Sequence, residues 1–149
     1  MTKIYMDVCC WNRPFDDQTQ MRVHLEAEAV LGVIAEIERG GCQLLHNEVV
    51  DLDIANTPDR LRRHRLQALV PGNHSYFHCQ PEIAARALEL EQRGFPGIDA
   101  LHLACAESAH ADRFLTTDDR LLRLAARHAR VLRVKVANPL AWMQDRPTN

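Results

Sequence analysis

Residues 98–122 read IDALHLACAESAHADRFLTTDDRLL, and this stretch decides the architecture. Asp99 follows a Pro-Gly turn and opens a long apolar helix, IDALHLACAESAHA. Arg113 to Leu115 then reads as a short strand, Thr116-Thr117 as a turn, and Asp118 or Asp119 as the start of a helix reaching about His128. Helix, strand and helix thus succeed one another with an acid at the start of each helix.

Working outward, the same alternation continues in both directions. Upstream, Lys3 to Val8 predicts a strand with Asp7 near its end, and the NRPFDD segment predicts a loop around Pro14. An amphipathic helix follows from about Thr19 to Arg39, with Val23, Ala27, Val30, Leu31, Ile34 and Ile37 on one stripe. Gly40-Gly41 stops it, and Cys42 to Leu45 predicts the second strand, paired in parallel as in a βαβ unit. Asn47 caps a helix carrying Val49, Val50, Leu52 and Ile54, and Pro58 opens an arginine-rich helix that ends near Val70-Pro71-Gly72. Ser75 to Cys79 is a weaker strand candidate, and Pro81 starts a helix from Glu82 to Arg93. Downstream, Val131 to Val136 predicts the last strand and Pro139 a short helical turn. The pattern predicts one α/β domain over residues 1–149: a three-layer α/β/α sandwich around a mostly parallel sheet.

Composition bounds the function. The chain has 149 residues, 46% hydrophobic and 26% charged, with no apolar run long enough to span a bilayer. The opening MTKIYMDVCC lacks the apolar region of a secretion signal. Five cysteines cannot all pair, and no CxxC occurs, so free thiols in a reducing cytoplasm are expected. A net charge of −2 means that nucleic acid, if bound, is gripped by a local patch.

The aspartates carry the chemistry. In open α/β sheets ligands bind outside the carboxyl ends of the strands. Asp7 and Asp118 follow strands, Asp99 begins a helix, and Asp53 lies in the helix after the second strand, so all four can converge on one edge. Helix-start aspartates also cap free N–H groups, which explains Asp99 and Asp118 taken singly. Asp7 within an apolar strand and Asp53 between Leu52 and Ile54 are harder to explain that way. Carboxylates buried together need a cation, and oxygen-only ligands select magnesium or manganese. Such a site activates water for attack on a phosphodiester.

The order of these motifs resembles the PIN-domain family across essentially the whole chain. Asp7 in IYMDVCCWN matches the first acid, and Asp53, six residues after Asn47, matches the second, where the family more often has Glu after Ser. Asp99 to Ala104 reproduces a D-A-x-H-L-A pattern, and Thr116, Thr117 and Asp118 a T-x-D pattern. The resemblance implies magnesium- or manganese-dependent cleavage of RNA, frequent homodimers and, in many relatives, a toxin paired with an antitoxin. It implies catalytic roles for Asp7, Asp53, Asp99 and Asp118, with Asp7, Asp99 and Asp118 on the metal and Asp53 orienting water or a second ion. Glu48 and Asp51 rival Asp53, and Asp119 rivals Asp118. The alternative is a silent PIN fold that binds RNA or protein without cutting. A phosphoacceptor receiver domain fits poorly, because one aspartate, not an acidic pair, ends the first strand.

For RNA, the candidates are Arg60, Arg62 and Arg63 in DRLRRHR, with Arg65 beside them, Asn12 in the loop after the first strand, and Thr116. Arg123, Arg127 and Arg130 form a weaker stripe. His74, His78 and Cys79 lack a fourth ligand for zinc. His102 reads as a hydrogen-bonded core histidine, and Trp11 and Trp142 as packing residues, with base stacking the alternative for Trp11.

Overall fold

The central strands are largely buried, and the helices between the strands supply the cover. In the computed structural model, which describes residues 1–146, the strands are β1 (Thr2–Met6), β2 (Cys42–Asn47), β3 (Ser75–Phe77), β4 (Arg113–Leu115) and β5 (Lys135–Ala137). They form one sheet in the order β3-β2-β1-β4-β5, and every neighbouring pair is parallel. The helices are α1 (Val8–Asn12), α2 (Met21–Glu38), α3 (Glu48–Ala55), α4 (Arg60–Leu69), α5 (Pro81–Gln92), α6 (Gly97–Ser108), α7 (Asp119–Arg127) and α8 (Pro139–Asp145). The three-layer α/β/α arrangement expected from the sequence is therefore observed, with a sheet that is wholly parallel.

Strand order explains the layers. The chain moves from β1 through β2 to β3 in one direction, then crosses to β4 and β5 on the other side of β1. Right-handed crossovers place α1 to α4 on one face and α5 to α7 on the other. Ile4, Tyr5, Met6, Leu44, Phe114 and Leu115 form the buried centre of the sheet, between α2 residues such as Val33 and Ile37 and α6 residues such as Leu103 and Cys105. The five cysteines are free. Among the described residues no helix is long and apolar enough to cross a membrane.

Four local expectations are corrected. The first strand stops at Met6, because Asp7 turns the backbone and caps α1 through its side chain. The NRPFDD segment, expected as a loop, instead continues that helix through Asn12 into a 3-10 turn over Arg13–Phe15. Helix α6 ends at Ser108, before the predicted Ala111, because His110 adopts a positive φ of 58° and Ala111 N–H returns to the Ala106 carbonyl. The last strand begins at Lys135 and not at Val131. Upstream of it, the Val131 carbonyl accepts from Arg86 and the Arg133 N–H donates to Glu107, so this backbone is spent on a buried ion pair before the ladder starts.

Candidate active site

The strand order reverses between β1 and β4, so their connections leave in opposite directions and open a crevice at the carboxyl edge. Register places Met6 beside Leu115, which brings Asp7 level with Thr116. The Asp7 N–H donates to the Leu115 carbonyl at 2.9 Å, extending the ladder by one step. Asp7 Oδ1 accepts from the Val8 N–H at 2.9 Å, and Oδ2 accepts from the Thr116 hydroxyl at 2.9 Å and the Cys9 thiol at 3.3 Å. The Thr116 oxygen in turn accepts from the Asp118 N–H at 3.1 Å. Thr116 is fully buried, so this threonine joins the first and fourth sequence acids through protein alone.

Asp118 caps α7, its Oδ1 accepting from the N–H groups of Arg120 and Leu121. Asp99 lies in the first turn of α6. Its carboxyl is pushed up to about 6, first by burial and then by the negative charges of Asp7, Asp118 and Asp53. Asp7 is pushed up to about 7, first by burial and next by the Cys9 sulfur, against the pull of the Thr116 hydroxyl. The four sequence-predicted acids therefore gather closely enough for three of them to oppose the ionisation of the fourth. Asp53 hydrogen-bonds His102, with 3.1 Å between Oδ2 and Nε2.

The rival acids have other partners. Glu48 accepts from the Cys79 N–H at 2.7 Å and sits 3.1 Å from His78 Nδ1. Asp51 lies 2.6 Å from His46 Nε2 and accepts from Tyr76. Asp119 takes both guanidinium nitrogens of Arg22 at 2.6 Å. None of the three is placed as Asp53 and Asp118 are.

The basic cluster divides in the same way. Arg62 donates to Asn12 Oδ1 and Asp16 Oδ1, each at 3.0 Å, and to the Phe15 carbonyl at 2.6 Å. Asn12 also donates to the Val8 carbonyl. Arg62 and Asn12 thus brace α4 against the α1 turn. Arg63 donates to the Thr57 carbonyl, while Arg60 and Arg65 are exposed. Trp11 is fully buried, with its indole N–H on the Met6 carbonyl, which leaves no face for a base. His74 meets the Pro71 carbonyl, His78 meets Glu48, and Cys79 faces Cys105 Sγ at 3.4 Å, so the three do not form a zinc set.

Sequence reasoning missed Cys9, whose sulfur sits inside the Asp7–Thr116 contact and accepts from the Thr117 N–H at 3.3 Å. Its signal was position: it lies two residues past a capping acid, in the first turn of α1. His102 is buried as expected, yet it touches Asp53. Among the described residues no three His, Cys, Asp or Glu side chains stand close enough to enclose an ion. The donors are hard oxygens at an open sheet edge. That set suits magnesium or manganese held through few carboxylates and its own hydration water.

No curated protein matches the chain in sequence. Among solved structures it is similar to VapBC2 from Rickettsia felis, solved bound to a DNA fragment from their promoter: TM-score 0.60, 9% identity, covering 92% of this chain and 98% of that one. It is also similar to FitAcB from Neisseria gonorrhoeae, with TM-score 0.55 and 17% identity over 91% of this chain and 97% of that one. At these identities the likeness concerns the fold. The family model described as PIN domain matches residues 4–127. The chain therefore belongs to the PIN domain family.

Proposed function

We propose that this protein is a magnesium- or manganese-dependent ribonuclease that hydrolyses phosphodiester bonds within RNA, using Asp7, Asp53, Asp99 and Asp118. The observation that carries the reading is the gathering of acids at one sheet edge: Thr116 ties Asp7 to the Asp118 backbone, and burial and the charges of Asp7, Asp118 and Asp53 push the Asp99 carboxyl up. Grouped carboxylates that resist their own ionisation are stabilised by a divalent cation. Asp7, Asp99 and Asp118 would hold the ion directly or through its hydration water, and Asp53 would orient the attacking water. When bound, the ion neutralises charge on the scissile phosphate and makes water a competent nucleophile at neutral pH.

The chain's own groups set the geometry. Thr116 fixes the Asp7 rotamer by donating to Oδ2 while accepting from the Asp118 N–H, so two of the metal carboxylates are registered by one hydroxyl. Thr116 acts in this scheme by holding carboxylates and not by touching RNA. The phosphate grip falls to Arg60 and Arg63 on α4, with Arg65 beside them. Arg62 and Asn12 form the brace that keeps α4 in place.

On its membership of the PIN domain family, we extend the reading to a toxin that works in the cytoplasm, forms a homodimer and is held by an antitoxin partner. The test is cleavage of an end-labelled, mixed-sequence RNA with manganese, magnesium or chelator, alongside Asp99→Asn. Metal-dependent internal cutting lost in the variant supports the reading. Metal-independent cutting, or cutting unchanged in Asp99→Asn, overturns it.

A further inference from the structure

Asp53 is one methylene shorter than the Glu usual in the family, and a single buried side chain meets it. His102 is 1% exposed and places Nε2 at 3.1 Å from Asp53 Oδ2. On the other side of the ring, Nδ1 lies 2.6 Å from the Tyr5 hydroxyl. That hydroxyl is also 3.4 Å from Asn47 Oδ1. Asn47 is fully buried and caps α3, the helix that carries Asp53, by accepting the Val50 N–H. The contacts therefore close a ring through four elements: β2, which ends at Asn47, then β1, α6 and α3.

Proton counting gives the ring a direction. A neutral imidazole has one N–H and one lone pair. A proton on Nδ1 would aim the Nε2 lone pair at the Asp53 carboxylate, two acceptors facing each other beside the core. A proton on Nε2 satisfies Asp53 and leaves Nδ1 to accept from Tyr5, whose contact is the shorter of the two. Tyr5 holds its own place by stacking on Phe114, with centroids 5.4 Å apart and planes 11° apart, and it meets the His102 ring edge-on at 5.7 Å. Among the described residues Asp53 Oδ1 makes no hydrogen bond, so this arrangement leaves one oxygen fixed and one free.

We propose that His102, its tautomer set by the Tyr5 hydroxyl, is the positioning residue that fixes Asp53 for catalysis by donating a hydrogen bond from Nε2. The proposal rests on the nuclease reading above, and it assigns to His102 no contact with RNA or metal. It makes the histidine of the D-A-x-H-L-A pattern compensate for the short reach of Asp53. A histidine supporting a carboxylate from outside the site typically governs about 10- to 100-fold in activity or metal affinity.

The test pairs two variants of the full chain. Gln places its amide nitrogen near the Nε2 position, and Asn places its own near Nδ1. His102→Asn should lose about 10- to 100-fold in kcat and bind manganese more weakly, with KM for RNA little changed, while His102→Gln recovers most of the loss. Tyr5→Phe, which removes one oxygen from a ring that stays packed, guards against variants that do not fold. It should lower kcat several-fold. Nitrogen-15 imidazole shifts of the metal-free wild type at pH 8 supply a readout independent of activity, and the Nε2–H tautomer is expected. A Nδ1–H tautomer or an imidazolium overturns the proposal, as does equal kcat per folded molecule in the Asn and Gln variants. If the wild type cuts no RNA, the nuclease reading fails by itself, and the tautomer and manganese affinities still decide the role of His102.

Discussion

Replacing Asp7 by Asn removes a buried charge that the metal-free fold holds at a cost. Raising this carboxyl from 3.8 to about 7 corresponds to about 4 kcal/mol against the ionised folded state, at about 1.4 kcal/mol per tenfold change. The asparagine oxygen keeps the Val8 N–H bond, but its amide must then donate towards Thr116 where Oδ2 accepted. That mismatch takes back part of the gain, leaving roughly 1–3 kcal/mol. The metal-free Asp7→Asn protein should therefore melt about 2–10 °C above wild type at pH 8. The sign with pH follows from a folded value above the unfolded one. Wild type is relieved of the penalty below about pH 4, where the carboxyl is protonated in both states, and incurs it as pH rises from 4 to about 7. The gap between the two proteins should grow over that window and stay flat above it. Magnesium or manganese should raise the melting temperature of wild type and not of the variant, which also loses cleavage. Melting curves with chelator and with metal, from pH 4.5 to 8.5, measure all of this. A variant less stable than wild type at pH 8 without metal, or one that still gains stability from metal, refutes the reasoning.

Four further outcomes rest on specific contacts. Arg62→Ala should lower stability by roughly 1–3 kcal/mol in urea unfolding, because Asn12 Oδ1 and the Phe15 carbonyl lose their donor and Asp16 is left with Arg13 alone. Arg60→Ala should leave the unfolding midpoint unchanged and weaken RNA binding in a salt-dependent way, measured by filter binding. Asp118→Asn should keep its helix cap, since Asn caps as well as Asp, yet lose cleavage, whereas Asp119→Asn should keep cleavage in the same gel assay. Glu26→Ala should cost about 3–5 kcal/mol, because this carboxylate is 1% exposed and accepts from Arg13, Arg22 and Asn138.

The alternation of strand and helix, the apolar second half of β1 and the acids in their order were legible in the linear chain. Periodicity, caps and turns are local, and an acid behind a strand is visible without knowing where the strand lies. The short helix at Val8–Asn12 was not legible, because it depends on Asp7 turning from the ladder to cap α1. Nor could the sequence place the final strand, since Val131 and Arg133 are claimed by Arg86 and Glu107 from other helices.

The site divides along the same line. Sequence alone determined that Asp7, Asp99 and Asp118 stand where strands end or helices begin, and that DRLRRHR is a basic run. Tertiary structure decided which partners each member of these groups meets. Glu48, Asp51 and Asp53 point in different directions around α3, at about 100° per residue, and only the fold brings Asp53 to His102, forty-nine residues away in sequence. Arg62 looks like its neighbours in the chain, but the fold brings it against Asn12, fifty residues away in sequence, and engages its guanidinium with Asn12, Asp16 and the Phe15 carbonyl. The physical reason is shared by both cases. Local sequence fixes which groups carry charge and which helix or strand holds them, whereas the energy of a charge depends on partners that only the order of the strands brings within a few ångströms.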